Sequence, residues 1–495
     1  MTDDRAARPN TVPRAGFGRA GALSWPGILL GILILAVVLG TIVYPTYTNY
    51  DSTYSLLWGR ELLHGHLPSF DAYRAPTQHP LAVVFGALVA LLGYWGNRVM
   101  VLLTLASFVV LVVGLYRLGR TSFTSLVGIF AAVIICTRFD FPFLAARGYV
   151  DIPYLAIVIW AAVLEAERSR RGRPVLLLLA LAGLLRPEAW GLSGFYWLWL
   201  FPKATWRRRI EDALIVVAAP LLWVASDFIV TGDPLFSQQH TSGLAEELGR
   251  NKGISEVPTT MVSFLKALVK LPVAIGGLIG LGVAAWLTPT RLRVPLALLV
   301  IGLFTFILVG AAGLSVINRY LLVPSLMVML FAAVAAGGFT MLEHGRLRTA
   351  WTVLAGLAIV FAVVWTALRV DLTRLTNELA LRGKAQTGLR DLLDDPAVRA
   401  AKKCGPVLTP NHRLIPDVRW IMNLPDGQVV ARTDVARAAR VKSGIAILPA
   451  RRSILLRQGF DPVDTSPEDT ANVLPPAGYV RIATTPYYAA YARCA

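Results

Sequence analysis

The feature that most constrains this chain is an apolar run that recurs about eleven times, with arginines and lysines crowded into alternate gaps between the runs. The runs fall at roughly 25–45, 98–116, 121–137, 150–165, 174–186, 188–202, 211–230, 271–288, 294–313, 320–341 and 349–368. A helix needs about 20 mostly apolar residues to cross the hydrocarbon core of a bilayer. A chain with this many such segments folds in lipid. Composition agrees: 16% of the 495 residues are charged, against about 25% in soluble domains. The expected fold class is a polytopic α-helical membrane protein with about 11 transmembrane helices.

The formal net charge of +18 does not point to nucleic acid. The positive charge sits in short loops between apolar runs rather than on one clustered face. Those loops carry Arg117 and Arg120, Arg168 to Arg173, Lys203 to Arg209, Arg291 and Arg293, and Arg346 and Arg348. All share one side of the membrane if the N-terminus is cytoplasmic, as the positive-inside rule requires. The reading is therefore a multi-pass plasma-membrane protein with an extracytoplasmic C-terminus. The first run, at about 20 residues, exceeds the 7–15 of a signal-peptide core and is read as an uncleaved span. Residues 1–24 read as a disordered cytoplasmic tail.

Two segments need separate argument. Residues 174–202 are one apolar stretch broken by Arg186-Pro187-Glu188 and flanked on both sides by basic clusters. Both flanks belong in the cytoplasm, which predicts a hairpin of two short helices with the Arg-Pro-Glu turn outside. The run at 80–95 has only about 12 uninterrupted apolar residues, below the requirement for a span. It reads as a helix in the outer interface, within a first outer loop covering 46–97. Residues 25–368 then form the membrane domain.

Residues 369–495 are richer in charge and carry short β-like runs, which predicts a small extracytoplasmic α/β domain. Cys404 and Cys494 bracket most of it, and an oxidising compartment predicts that they are bonded. Cys136 lies in a span and reads as an inert core residue.

Ionisable residues at membrane depth are costly and are candidates for function. On the outer face they are Asp51, Asp71, Arg74 and His79, then Arg147 and Asp151, Arg186 and Glu188, Asp233 and His240, and Arg319. Carboxylates there are suited to deprotonating a hydroxyl, and fixed cations to stabilising a phosphate leaving group. Each also has a plain structural reading. Asp51 opens a helical pattern in which Tyr54, Leu57, Trp58 and Leu62 share one face, so it fits an N-cap on a helix lying along the membrane surface. Asp71 fits a turn, Asp151 a helix cap, and Arg186 an interfacial anchor paired with Glu188. His64, His66 and His79 match no tight zinc spacing. A divalent cation such as Mg²⁺ or Mn²⁺ on Asp51 with Asp151 or Asp71 suits the ligand type better.

The outer-face pattern resembles the GT-C superfamily of integral membrane glycosyltransferases, in its protein O-mannosyltransferase and aminoarabinose-transferase branch. The residues that carry the likeness are Asp51-Ser52, Tyr54, Gly59-Arg60, Gly65, Pro68 to Asp71 and His79-Pro80-Leu81 in the first loop. "AARGYVDIP" with Asp151, "GLLRPEAW" with Arg186 and "NRYLLVP" with Arg319 continue it over about residues 25–340. Actinobacterial polyprenol-dependent mannosyl- and arabinofuranosyltransferases are further relatives of that pattern. Two positions depart from the branch: Ser52 stands where it has an acidic residue, and Leu81 where it has proline.

The resemblance implies an inverting transferase that moves a sugar from a polyprenyl-phosphate donor to a cell-envelope acceptor, a glycan, lipid or protein hydroxyl. It implies Asp51 as general base and Asp151 as its helper or as orienter of the acceptor. Arg186, Arg319, His79, Arg74 and Arg147 would hold the donor phosphate, with Tyr54, Asp71 and Glu188 in secondary roles. Two other readings of the sequence remain open at this point: a transporter or flippase of a lipid-linked saccharide, and a non-catalytic scaffold of envelope assembly.

Overall fold

The computed structural model describes residues 24–247, 249, 251–369, 372–457 and 472–494. The tail expected over 1–24 lies outside them apart from Ser24. The chain begins with α1 (Trp25–Val43), α2 (Tyr50–Leu63), α3 (Pro80–Ala90), α4 (Gly96–Ser122), α5 (Ser125–Cys136), α6 (Asp140–Ala146) and α7 (Asp151–Glu167). It continues with α8 (Arg173–Leu185), α9 (Glu188–Leu200), α10 (Trp206–Thr231), α11 (Phe236–Glu247), α12 (Val257–Val269) and α13 (Leu271–Leu287). Then come α14 (Arg293–Ala311), α15 (Leu322–Gly337) and α16 (Arg346–Arg369). Each of the eleven apolar runs becomes a helix. Among the described residues, 5 helices are long and apolar enough to cross a membrane on their own, or up to 7 if each bent pair counts as one span.

The interrupted run at 174–202 folds as the expected hairpin. Arg186 precedes a proline, which pushes its backbone out of the helical region, and it is extended at φ −150°, ψ 130°. α9 then starts afresh at Glu188. The far ends of the pair meet, since Gly172 N–H donates to the Tyr196 hydroxyl at 3.0 Å, so α8 and α9 run antiparallel. Three of the five basic loops also gather. Arg117 and Arg171 pair with Glu167 at 2.8 and 3.6 Å, and Arg173 and Arg208 with Asp212 at 3.8 and 3.0 Å. Glu167 ends α7 and Asp151 begins it, so the basic end and the Asp151 end lie about 25 Å apart at 1.5 Å per residue.

Beside this bundle, α3 turns Val84, Phe85 and Leu88 outward, as an interfacial helix would. α2 departs from expectation. Tyr54, Leu56, Leu57 and Trp58 are fully buried, so the helix does not lie along a membrane surface. One side packs on α3 through two glycines. A Cβ on Gly59 would collide with the Ala87 backbone, and one on Gly86 with the Ser55 carbonyl. Backbone therefore meets backbone, as small residues permit in membrane helices. The other side is covered by the C-terminal residues.

Those residues form α17 (Leu372–Asp394), α18 (Pro396–Ala401), β1 (Val407–Thr409), α19 (Ile415–Met422), β2 (Val429–Ala431), α20 (Val435–Ala438), β3 (Gly444–Pro449), α21 (Arg452–Arg457), β4 (Val480–Thr484) and β5 (Tyr488–Arg493). The sheet order is β2-β1-β3-β5-β4. β1 runs parallel to β2 and β3, with Val407 opposite both Val429 and Ile445, and β5 is antiparallel to β3 and β4. Leu389, Leu393, Val418, Ile445 and Ile447 share a core separate from that of the bundle. This layer docks on α2 through polar groups. Arg60 donates to the Arg419 carbonyl at 3.2 Å, and Arg419 pairs with Glu61 at 2.6 Å. Cys404 and Cys494 form a disulfide that ties the turn after α18 to the end of β5, with Cα atoms 4.7 Å apart. Cys136 is free and half-buried.

Two measurements check this arrangement. Mass spectrometry of unreduced, denatured protein should find one alkylatable thiol, on Cys136. Gly86→Leu should lower the melting temperature, because overpacking costs about 1–3 kcal/mol even where only side chains must give way.

Candidate functional site

The start of α2 is built by a small local accident of sequence. Asn49, not Asp51, is the N-cap: its Oδ1 accepts from Ser52 N–H at 3.1 Å. Asn49 N–H in turn donates to the Arg147 carbonyl at 2.8 Å, and the buried Ser52 hydroxyl bonds the Gly148 carbonyl. Ser52, where the related pattern has an acidic residue, thus staples two loops together. The capping alternative for Asp51 falls, and its carboxylate is left for the site.

Five charged residues then meet. Arg319, on the turn before α15, donates from one nitrogen to Asp51 Oδ2 at 3.2 Å and to Asp151 Oδ2 at 3.3 Å. Arg186 bonds Asp151 Oδ1, and its Nε and Nη2 donate to Glu188 Oε1 at 2.9 and 2.6 Å. The group lies beside a cavity of about 910 Å³ between the bundle and the C-terminal layer. Asp51, Arg186, Glu188 and Arg319 line it, as do His79, Arg74 and Arg147. Asp151 is fully buried behind the two arginines and does not line it. Burying that carboxylate is costly unless it is paired, and each of its oxygens has a guanidinium.

The remaining expected residues divide. Arg74 stands at the rim, paired with Glu247 at 3.0 Å. Arg147 donates to the Tyr47 carbonyl at 2.9 Å, and among the described residues it has no carboxylate within ion-pair distance. Burial and the neighbouring Arg382 lower its pKa to about 10, so it stays charged at neutral pH. His79 is different: burial, then Arg186, lowers its pKa to about 4. It is neutral at pH 7 and its Nδ1 has no hydrogen-bond partner among the described residues, so it can orient an oxygen but adds no positive charge. Asp71 is exposed and outside the cavity. Tyr54 is also outside, locked among Tyr50, Trp58 and the α3 face. Tyr50 takes the cavity position instead and donates to the Arg74 carbonyl at 2.8 Å.

Several lining residues have no motif to announce them. Tyr149 packs under Arg319, whose guanidinium carbon is 5.5 Å from the ring. Arg382, Gln386, Asp417 and Arg457 enter from the C-terminal layer. The lining also includes Trp190, Trp223, Val309 and Leu322, so part of the cavity surface is apolar.

The donor set does not fit a divalent cation as it stands. Of the carboxylates offered to one, Asp51 and Asp151 have a guanidinium between them, and Asp71 is exposed outside the cavity. Among the described residues no group of three or more His, Cys, Asp or Glu comes together to hold a metal ion.

No protein-family model matches the chain, and no curated protein matches it in sequence. Solved structures do match. ArnT from Cupriavidus metallidurans bound to undecaprenyl phosphate superposes with TM-score 0.56 at 13% identity, over 95% of this chain and 98% of that one. Its apo state gives 0.54 at 13% identity, over 94% and 98%. The archaeal oligosaccharyltransferase AglB from Archaeoglobus fulgidus, in complex with an inhibitory peptide and a dolichol-phosphate, gives 0.50 at 11% identity, over 86% and 70%. The chain shares the fold of ArnT over its helical bundle and C-terminal layer together.

Asp417 supplies a pH test. Burial lifts its carboxyl to about 6, and only Gln386 Nε2, at 2.7 Å, hydrogen-bonds it among the described residues. A raised acid pKa means that the folded state holds the proton longer than the unfolded one. Stability should be full below about pH 4, fall as the pH rises towards 6, and level off above, by about 3 kcal/mol at most. Asp417→Asn should remove that fall and melt higher than the parent at pH 7.

Proposed function

We propose that the chain is an inverting glycosyltransferase. It moves a sugar from a polyprenyl-phosphate donor to a hydroxyl of a cell-envelope acceptor at the outer face of the plasma membrane. The observation that carries this reading is the Arg319 bridge between Asp51 and Asp151 at the edge of a half-apolar cavity. The fold shared with a protein bound to undecaprenyl phosphate supports the choice of donor.

The basic loops gathered at one end of the bundle favour placing that end in the cytoplasm. The N-terminus is then inside, and the cavity and residues 369–495, read as one extracytoplasmic domain, are outside. The prenyl chain lies along the apolar wall at Trp190 and Trp223. Its phosphate sits between Arg319 and Arg147, either side of Tyr149. Arg147 supplies the needed charge because, among the described residues, no carboxylate lies within ion-pair distance of it. The phosphate draws Arg319 away from Asp51, whose oxygen becomes free to accept a proton.

In the reaction the acceptor oxygen attacks the anomeric carbon, and its proton passes to Asp51. The bond from that carbon to the phosphate oxygen breaks, and the leaving phosphate takes the electron pair. Its growing charge meets Arg319 and Arg147, which are already in position. Arg186 has carboxylates on all three nitrogens. Its role is to hold Asp151, which in turn aims Arg319. Asp151 is a positioning residue in this account. His79, neutral, orients an oxygen.

Purified protein assayed with synthetic polyprenyl-phosphate mannose, arabinofuranose and glucose tests this reading. Asp51→Asn should cut transfer by about 10²–10⁴-fold, the usual range for losing a general base, while decaprenyl phosphate still binds. Full activity of Asp51→Asn would sink the assignment. Arg319→Gln should lower both transfer and decaprenyl phosphate affinity, the latter by roughly tenfold or more for one lost charge-assisted contact.

A further inference from the structure

Besides the Asp51 cluster the cavity lining has a second group of cations, contributed by the C-terminal layer. Arg382, on α17, pairs with Glu378 at 2.6 Å. Arg457, at the end of α21, donates from Nε to both oxygens of the same carboxylate at 3.2 Å. Both arginines line the cavity and are about one-third exposed, whereas Glu378 lies behind them, outside the lining. Arg382 also reaches the bundle, with its guanidinium carbon 5.6 Å from the Phe143 ring.

This repeats the device in which Asp151 stands behind Arg186 and Arg319. In each case one carboxylate holds two guanidiniums in place. The charge balance differs. The inner group sets Arg186 and Arg319 against Asp51, Asp151 and Glu188, a net of −1. Among the described residues the second pair sets two guanidiniums against Glu378 alone, a net of +1 for those three groups. A guanidinium has five N–H donors, and one shared carboxylate leaves several of them unused. Fixed in their planes and facing the cavity, they suit a phosphate or carboxylate held in two-point contact.

We infer that Arg382 and Arg457 form an acceptor subsite for an anionic group, so that the acceptor is a phosphate- or carboxylate-bearing glycan or lipid headgroup rather than a neutral sugar. This rests on the transferase reading, in which Arg319 and Arg147 are committed to the donor. The anion would anchor the acceptor on the C-terminal side while its hydroxyl reaches Asp51.

The test uses the full-length protein in phosphatidylcholine nanodiscs, with decaprenyl phosphate saturating the donor side. Glycerol 1-phosphate, methyl glucuronide and methyl glucoside are titrated separately by calorimetry. At least one anion should bind about tenfold or more tighter than the neutral glucoside, as charge-assisted contacts allow. The Arg382→Gln/Arg457→Gln double variant should lose that preference. Glu378→Gln, which lifts the local net charge, should tighten anion binding and serves as the deciding variant if the double one fails to fold. A stronger response to glycerol 1-phosphate supports a lipid headgroup, and a stronger response to the glucuronide supports an acidic glycan. Equal binding of all three probes, an unchanged preference in the double variant, or no gain in Glu378→Gln would overturn the inference. If decaprenyl phosphate itself does not bind, the donor reading fails separately, and the titrations are run without it.

Discussion

The buried carboxylate of Asp151 is the constraint on which the site depends. It is fully removed from solvent at the start of a bundle helix, where an unpaired charge would be untenable. The need to pair it draws in Arg186 from the α8–α9 turn and Arg319 from the turn before α15. Three segments far apart in sequence are thereby fixed at one point. Asp51 then meets Arg319 as the second partner of a cation already held. A buried pair of this kind is a weak source of stability, because desolvation offsets much of the attraction. Its value here is specificity of position.

The cavity belongs to two bodies. The bundle supplies the apolar wall and the Asp51 cluster, and the C-terminal layer supplies Arg382, Arg457 and Asp417. α2 is the joint between them, with backbone contact to α3 on one side and the Arg60–Glu61–Arg419 contacts on the other. Those polar contacts sit next to Trp420, over which Arg60 stacks at 5.0 Å. The joint therefore joins packing to charge at one place, and the residues named Gly59-Arg60 in the sequence serve both sides of it.

Much of this was legible before any coordinates. Apolar runs and alternating basic loops require a bundle, and Pro187 requires the break in the stretch at 174–202. The meeting of Asp51, Asp151, Arg186 and Arg319 could be anticipated because each stands at a helix end on one side of the bundle. What could not be read depended on distant chain. Capping by Asp51 and by Asn49 are locally equivalent, and only the Arg147 carbonyl and Gly148 loop select the second. Tyr54 and Trp58 look like surface anchors until α19, some 360 residues later, covers them. Arg382 and Arg457 sit in ordinary charged helical sequence, and nothing local separates them from solvated arginines.

The close crossing of α2 and α3 sets a vertical scale for the chemistry. In the proposed orientation α3 floats at the edge of the acyl layer, with Val84, Phe85 and Leu88 turned to lipid. α2 rests directly on it, main chain on main chain, so Asp51 is held about one helix diameter, roughly 10 Å, above that layer. A donor tethered by its prenyl tail has its own fixed height, set by where tail gives way to phosphate. Base and anomeric carbon would thus be levelled by the bilayer itself, and only the acceptor, arriving from water, would need to be lifted or lowered into register.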